Sequence, residues 1–424
     1  MKKASLFSVV ILGLSVIVGC SNNETGSTDE NGVETIRVLS SDDFAGFRES
    51  VIEEFEKENP DINVELEHVA YDQLHDKELA SFNASGSAAY DIVDVDEIWT
   101  AEYADAAFIQ PVTDMFTDEM ENGILQSSLD IASLDGEYYG VPMFNDVLFF
   151  YYNEEMLKAA GFDSAPTTWG EFATVSKVLE EKGITSGPAS SWGWSASEGL
   201  VAYYTQFLGS FGGSFFDSKG NPTINNKAGV DALQYMVDSM KNGGFIDSAS
   251  INNNDRQILD AFKNGKTAFV SGWSFYWGEI NSDDSPVKGK VKVGMLPAVE
   301  GAPAATATGS MYLAITTQSE HHDAAWKFME FLGSKELQKR QSIEAGALPT
   351  WSELYEDTEL NENHGALPEM KEQLKSTISR PALVEYNEFS KFLQLRLQEA
   401  LIGKKDPQTA LDEVAEKVKE LQDN

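Results

Sequence analysis

The sequence contains a single cysteine, Cys20, among 424 residues. One cysteine cannot form an intramolecular disulfide, and it cannot supply the paired thiolates of a structural zinc site. The five histidines are scattered, and the short motifs of dinucleotide, metalloprotease, serine-hydrolase and calcium-loop sites are missing. Gly265-Lys266-Thr267 resembles the end of a phosphate loop, but Asp260 stands where that loop requires glycine. We therefore predict no cofactor and no metal centre.

Basic residues are scarce. Lys and Arg together number 31 against 69 Asp and Glu, which gives a formal net charge of −38. Such an acidic chain repels phosphate backbones and anionic lipid headgroups. We therefore predict no nucleic-acid partner and no docking of a basic face on a membrane.

The apolar run near the N-terminus, Leu6–Val18, is too short for a membrane-spanning helix and has the length of a signal-peptide core. Lys2 and Lys3 precede it, and Ile17-Val18-Gly19-Cys20 resembles a bacterial lipobox. We predict a lipoprotein signal peptide over residues 1–19 and a diacylglycerol on Cys20 that anchors the chain to the extracytoplasmic face of the cell membrane. The alternative is an ordinary signal peptide followed by a chance cysteine. Residues 20–33 are polar and predict a flexible tether.

Beyond the tether, apolar periodicity alternates between strand and helix. Thr35–Ser40, Ile62–Leu66 and Asp91–Asp96 have strand patterns, and each gap between them has helical spacing. This alternation predicts a parallel, right-handed α/β sheet, and in such sheets ligands bind beyond the carboxyl ends of the strands. The length of the chain indicates two or three domain-sized units.

Two acids end the third of these strands. Asp94 and Asp96 are two residues apart, so their side chains leave the same face of a strand. They immediately precede a predicted helix that contains Trp99, so they fit either a ligand site or an N-cap. Both interpretations stay open at the level of sequence.

The stretch Gly140–Asn153 contains a continuous apolar run, Val147–Tyr152, that is typical of a strand buried on both faces. Asp146 stands directly before this strand. A carboxylate that enters a core loses hydration worth several kcal/mol unless it finds a partner. The partner of Asp146 is therefore either a structural Arg or Lys, or the hydroxyl of a ligand.

A cluster of aromatic residues follows another predicted strand, Ala268–Ser271. Trp273, Phe275, Tyr276 and Trp277 come directly after Gly272. Aromatic clusters usually belong to a core, but this position at a strand's carboxyl end favours a partly open platform. Sugar rings pack their C–H groups on such faces while their hydroxyls form hydrogen bonds at the edges.

Taken in order along the chain, several short segments resemble the family 1 extracellular solute-binding proteins, the sugar-binding lipoproteins of ABC importers. The segments that match are Asp91-Ile92-Val93 with Asp96 and Trp99, Gly140-Val141-Pro142 with Tyr151-Tyr152-Asn153, Pro166–Trp169, Gly265–Ala268 with Trp273, Leu296-Pro297, Ala324–Trp326, Arg380-Pro381 with Tyr386, and Gly403 with Pro407 and Ala410-Leu411.

The resemblance implies an α/β fold of two hinge-connected lobes that close on a ligand, each lobe a mainly parallel sheet flanked by helices. It places residues 34–144 and 305–340 in the N-terminal lobe, and residues 145–304 and 341–424 in the C-terminal lobe. The hinge would be crossed first near Met143–Leu148.

The same resemblance implies sugar-binding roles for acids, aromatic residues and one cation. Asp96 and Asp146 match family acids that hold sugar hydroxyls, and Asp42 matches more loosely. Trp273 and Phe275 match an aromatic platform, and Arg380 matches a cationic donor. With the two neighbouring indoles, the predicted sugar-binding set is Asp42, Asp96, Trp99, Asp146, Trp273, Phe275, Trp277 and Arg380.

We accordingly predict a monomeric, membrane-tethered receptor that binds a di- or trisaccharide, delivers it to the transmembrane subunits of an ABC permease, and catalyses nothing. Two alternatives are kept. Two carboxylates suffice for a glycosidase, so a secreted carbohydrate-active enzyme fits the acids as well. A receptor for a non-sugar solute, such as a glycosylated amine or a polyol, fits the same fold.

Overall fold

The computed structural model describes residues 32–41, 46–84, 88–241 and 244–422. The predicted signal peptide, Cys20 and most of the predicted tether lie outside the described residues, and so does Asp42. Within the described ranges, no helix combines the length and the apolar character needed to cross a bilayer.

The strands, in chain order, are β1 (Glu34–Ser41), β2 (Ile62–Val69), β3 (Ile92–Asp96), β4 (Ser133–Leu134), β5 (Glu137–Tyr138), β6 (Val141–Phe144), β7 (Phe149–Asn153), β8 (Phe269–Gly272), β9 (Val291–Gly294), β10 (Thr306–Ala307), β11 (Met311–Ile315) and β12 (Thr377–Ile378).

The helices, in chain order, are α1 (Phe47–Glu58), α2 (Tyr71–Phe82), α3 (Thr100–Asp105), α4 (Asp118–Gly123), α5 (Gln126–Ile131), α6 (Glu154–Ala160), α7 (Trp169–Glu181), α8 (Glu198–Ser210), α9 (Lys227–Ser239), α10 (Asp255–Lys263), α11 (Tyr276–Ile280), α12 (His322–Leu332), α13 (Lys335–Ala345), α14 (Thr358–His364), α15 (Leu367–Gln373), α16 (Tyr386–Leu401) and α17 (Pro407–Gln422). Short 3-10 turns span Glu97–Trp99, Thr113–Met115, Ser248–Asn252 and Ser352–Glu356.

The first lobe is built on a five-stranded sheet with the order β2-β1-β3-β11-β6. β1 runs parallel to β2 and to β3, with α1 and α2 as the connections, so the predicted strand–helix alternation is confirmed. β11 is antiparallel to β3 and to β6. The parallel strands end at one edge of the sheet, and Asp94 and Asp96 lie at that edge.

The second lobe is built on a smaller sheet with the order β8-β7-β9. β7 is fully buried except at Tyr152, as its apolar sequence predicts. It is antiparallel to both neighbours, so the prediction of a mainly parallel sheet is wrong for this lobe. β8 and β9, which are joined through α11, run in the same direction on either side of β7, and β7 runs between them in the opposite direction.

The chain passes between the lobes where β6 gives way to β7. Isolated bridges pair Asn145 with Leu348 and Val147 with Thr308 at this crossing. A second crossing lies near residues 308–310, because β10 pairs with β12 whereas β11 belongs to the first sheet. The lobe boundaries stay a prediction, and these pairings favour a crossing a few residues after position 304.

Candidate ligand-binding cleft

Arg380 follows β12 and connects the two lobes. Its guanidinium Nη2 lies 3.1 Å from Oδ1 of Asp96, at the end of β3 in the first lobe, and its Nη1 lies 2.9 Å from Oε1 of Glu198, at the start of α8 in the second. The Arg380 side chain is 2% exposed, so both ion pairs are shielded from water. Two residues that the sequence proposed for the site therefore meet between the lobes.

The neighbours of Arg380 are mostly acids and hydroxyls. Tyr386 and Ser390 of α16 each donate a 2.5 Å hydrogen bond to the carboxylate of Glu198. Glu97 lies 3.8 Å from Arg380 and accepts a hydrogen bond from Thr308, and burial raises the pKa of Glu97 to about 7. One guanidinium thus lies within 4 Å of three acids, so this part of the cleft contains more acidic than basic groups.

The two acids of β3 have different partners in the structure. Asp96 accepts hydrogen bonds from the backbone N–H of Ile98 and from the hydroxyl of Tyr71, so it caps the following 3-10 turn and also faces the cleft. Asp94 instead pairs with the buried Arg48 at 3.0 Å and accepts a hydrogen bond from Ser40. Asp96 therefore has the capping role and also lies beside Arg380, so its role in ligand binding stays a prediction, whereas Asp94 has a structural partner.

Trp99 lies behind this group rather than in the open cleft. It is 5% exposed, and its ring stacks on Tyr71 at 5.9 Å and contacts His75 at 5.0 Å. Since Tyr71 in turn reaches Asp96, Trp99 supports a cleft residue from the core side. Its own contacts do not favour the predicted sugar contact.

Asp146 lies at the first crossing and is 4% exposed. Its Oδ1 accepts a 2.8 Å hydrogen bond from the backbone N–H of Ser274, and its own backbone N–H donates to Oγ of Ser310 at 2.8 Å. No lysine or arginine of the described chain lies within ion-pair distance of it. Because burial removes its hydration, the pKa of Asp146 rises to about 8. Of the two partners proposed from sequence, a structural cation is therefore excluded within the described chain.

Trp273 lies beside Asp146 and is partly exposed. A Cβ at Gly309 would stand 2.2 Å from its ring, so the indole packs on a position where only glycine fits. The backbone N–H of Gly309 also donates to the carbonyl of Asp146 at 3.0 Å. The indole N–H of Trp273 donates to Asp255 of α10 at 3.3 Å. Asp146 and the indole of Trp273 therefore lie side by side at one corner of the second lobe.

The two halves of the cleft are connected through Ser310. Its hydroxyl receives the backbone N–H of Asp146, and its carbonyl oxygen receives the backbone N–H of Glu97 at 3.3 Å. The Arg380 cluster and the Trp273 corner are thus separated by a single residue of the crossing strand. Phe275, two residues after Trp273, is also partly exposed.

Trp277 has different surroundings. It is 9% exposed, its indole N–H donates to the carbonyl of His364, and its ring stacks on that of His364 at 6.2 Å. A covered face and a satisfied N–H are features of a packing residue. These contacts do not support the predicted role of Trp277 in sugar binding.

The sequence interpretation missed three cleft residues: Tyr71, Glu198 and Asp255. Glu198 and Asp255 each begin a helix, where acids are ordinary because they favour the positive end of the helix dipole. No spacing rule relates them to Arg380 or to Trp273. Glu97 carried a weak signal, since it directly follows Asp96.

Comparisons with known proteins agree with the two-lobed fold. Residues 39–339 match the model of a family described as bacterial extracellular solute-binding protein. A probable ABC transporter-binding protein of Deinococcus radiodurans is 27% identical over 66% of this chain and 68% of its own length. The arabinooligosaccharide-binding protein of Bacillus subtilis is 24% identical over 86% of this chain and 84% of its own. The structure of maltose-bound MalE3 from T. maritima superposes with a TM-score of 0.86 at 29% identity, and the match covers 92% of this chain and all of that one.

Proposed function

Because the chain belongs to the bacterial extracellular solute-binding proteins, we propose that it is the sugar receptor of an ABC importer. The observation that carries this proposal is the single group formed by Asp96, Arg380, Asp146 and Trp273 between two lobes. Carboxylates accept sugar hydroxyls, a guanidinium donates to them, and an indole face packs on the C–H groups of the ring. These four side chains supply all three interactions.

The expected strength follows from these interactions. A hydrogen bond to a charged group contributes roughly 1.5–3 kcal/mol. Two or three such bonds and one stacking contact give about −8 kcal/mol after ordering costs, which corresponds to a micromolar dissociation constant. That value suits a receptor that must also release its ligand.

We propose a di- or trisaccharide as the ligand and the transmembrane subunits of an ABC permease as the partner. The maltose-bound structure and the arabinooligosaccharide-binding relative support the ligand class. Delivery requires the protein to stay near the permease, and a diacylglycerol on Cys20 followed by a polar tether would achieve this. The receptor acts as a monomer and performs no chemistry on the sugar.

A titration panel tests the ligand class. We would titrate the mature chain with maltose, maltotriose, arabinobiose, arabinotriose, ribitol and glycerol 3-phosphate by isothermal calorimetry, with thermal unfolding in parallel. At least one di- or trisaccharide should bind with a micromolar constant and raise the unfolding temperature. If no saccharide gives a binding isotherm or raises the unfolding temperature, the proposal is overturned.

The absence of catalysis and the anchor have separate tests. Saccharides that bind should be recovered intact by chromatography after prolonged incubation, whereas enzymatic turnover would favour the alternative of a secreted glycosidase or lyase. Wild-type protein expressed in a bacterium should incorporate labelled fatty acid, and Cys20→Ser should not. Equal labelling of the two would place the lipid elsewhere.

A further inference from the structure

We propose that the cleft selects against negatively charged solutes, so that the ligand is a neutral or basic saccharide and never a uronate or a sugar phosphate. This inference rests on the proposed function and adds the charge class of the ligand. It follows from the balance of buried charges in the cleft.

The described cleft and its immediate wall contain many more acids than cations. Six acids are buried or half-buried there: Asp94, Asp96, Glu97, Asp146, Glu198 and Asp255. Burial raises the pKa of Glu97 to about 7 and that of Asp146 to about 8, so the negative charge at neutral pH comes mainly from the other four. The six acids face two cations, Arg48 and Arg380. Arg48 is engaged by Asp94 at 3.0 Å, so it offers little attraction to an incoming anion.

Arg380 is also committed. Its two terminal nitrogens lie within 4 Å of Asp96, Glu97 and Glu198, so the group as a whole is negative. Its Nε is buried without a hydrogen-bond partner. That N–H is a donor for a ligand hydroxyl, but a ligand carboxylate placed there would be the fourth acid around one guanidinium.

The corner around Trp273 has no cation among the described residues. Asp146 lies on one side of the indole, and Asp255 accepts hydrogen bonds from Tyr203 and from the indole N–H on the other. Arg256, the next residue of α10, is turned away to Glu279 at 2.7 Å. A negative group placed on this platform would meet the carboxylate of Asp255 with no cation of the described chain paired to it, while Asp146, whose pKa burial raises to about 8, is mostly protonated at neutral pH and adds little charge.

The penalty is large enough to decide specificity. Two like charges about 6 Å apart, at the effective dielectric constant of about 20 that suits protein sites, repel strongly enough to weaken binding roughly a hundredfold. The burial that raises the pKa of both Asp146 and Asp255 indicates that water does little to screen this corner. Hydroxyl and ammonium groups meet no such repulsion.

Matched pairs of probes test the inference. We would measure by calorimetry the binding of maltose and its 6′-carboxylate, of galactobiose and digalacturonate, and of xylobiose and its glucuronosyl derivative. In every pair whose neutral member binds, the acidic member should bind at least a hundredfold more weakly. Equal or tighter binding of an acidic member would overturn this inference and leave the saccharide receptor standing. If all six probes fail, the same comparison is made with the saccharide that binds in the panel and its carboxylate-bearing derivative, and a panel in which no saccharide binds would overturn both.

Substitutions locate the source of the selection. Asp255→Asn keeps oxygen and nitrogen atoms near Tyr203 and Trp273 and removes one charge, so it should reduce the ratio of neutral to acidic affinity at least tenfold. Asp260→Asn, on the exposed side of the same helix, should leave the ratio unchanged. If Asp255→Asn fails to fold, Glu97→Gln provides the second test and should also lower the ratio. An unchanged ratio in a folded variant would contradict the inference.

Discussion

Asp94 and Asp146 are alike in the sequence, since each lies within or shortly before a buried strand, but their surroundings differ. Asp94 has Arg48 at 3.0 Å and hydroxyl and amide donors from β1. Asp146 has a backbone N–H and, among the residues that the structure describes, no cation within ion-pair distance. The first acid is neutralised through Oδ2 within its own lobe, whereas the second lies at the crossing between the lobes.

The comparison shows how a buried acid can be assigned to the scaffold or to the site. A carboxylate that the protein itself neutralises stabilises the fold only as long as its partner remains. A carboxylate that the protein leaves without a cation raises the free energy of the unliganded state. It can recover part of that cost when a ligand supplies hydrogen bonds.

The largest expected effect is on the scaffold side of the comparison. Arg48→Met should lower the free energy of unfolding by about 3–5 kcal/mol, because it leaves Asp94 buried and without a cation. Denaturant unfolding of the unliganded protein measures this. Arg37→Met is the matched control, because the Arg37–Glu65 pair is more than half exposed on both sides and contributes at most about 1 kcal/mol. An equal loss of unfolding free energy in the two variants would mean that Asp94 does not depend on Arg48 as a buried partner.

The next effect concerns Asp146 and pH. Its pKa in the folded protein, about 8, lies above its ordinary value of 3.8. The unfolded chain therefore releases this proton first, and the contribution of Asp146 to stability falls as pH rises from about 4 to about 8. Asp146→Asn should remove this contribution, so at pH 8 the variant should be more stable than wild type by an amount on the order of a few kcal/mol.

Urea unfolding of both proteins at pH 5 and pH 8 measures the change. The free energy of unfolding of Asp146→Asn relative to wild type should be larger at pH 8 than at pH 5. A variant that is equally destabilised at both values would mean that Asp146 has a structural partner after all, as Asp94 does.

The smallest of the three effects is on affinity. Trp273→Ala should weaken the binding of a saccharide identified by the panel at least tenfold, because it removes the stacking face, and it should leave the protein folded. Trp277→Phe is the control. It should leave affinity unchanged and lower stability by about 1 kcal/mol, since it loses the hydrogen bond to the His364 carbonyl. Unchanged affinity in Trp273→Ala would remove that indole from the site.

Part of this structure could be predicted from sequence because the signals are local. The alternation of strand and helix from β1 to β3 and the buried strand β7 follow from apolar periodicity. The family resemblance indicated the positions of Asp96 and Arg380. Strand direction in the second lobe could not be predicted, since β7 lies between two strands, β8 and β9, that come much later in the chain.

The remaining cleft residues depend on tertiary contacts. Glu198 lies 182 residues before its partner Arg380, and Asp255 reaches Trp273 from a different helix. Neither contact leaves a pattern in the sequence. Trp277 was predicted from its neighbours in an aromatic run, but it lies in α11, where its ring packs on His364.

The central claim is that Asp96, Arg380, Asp146 and Trp273 line one cleft in which a saccharide replaces water. A crystal structure of the protein with a saccharide that binds in the panel tests this most directly. We predict a sugar ring on the face of Trp273, with its hydroxyls within hydrogen-bond distance of Asp146 and of the Arg380 group. A saccharide bound elsewhere, with these four side chains untouched, would contradict the account.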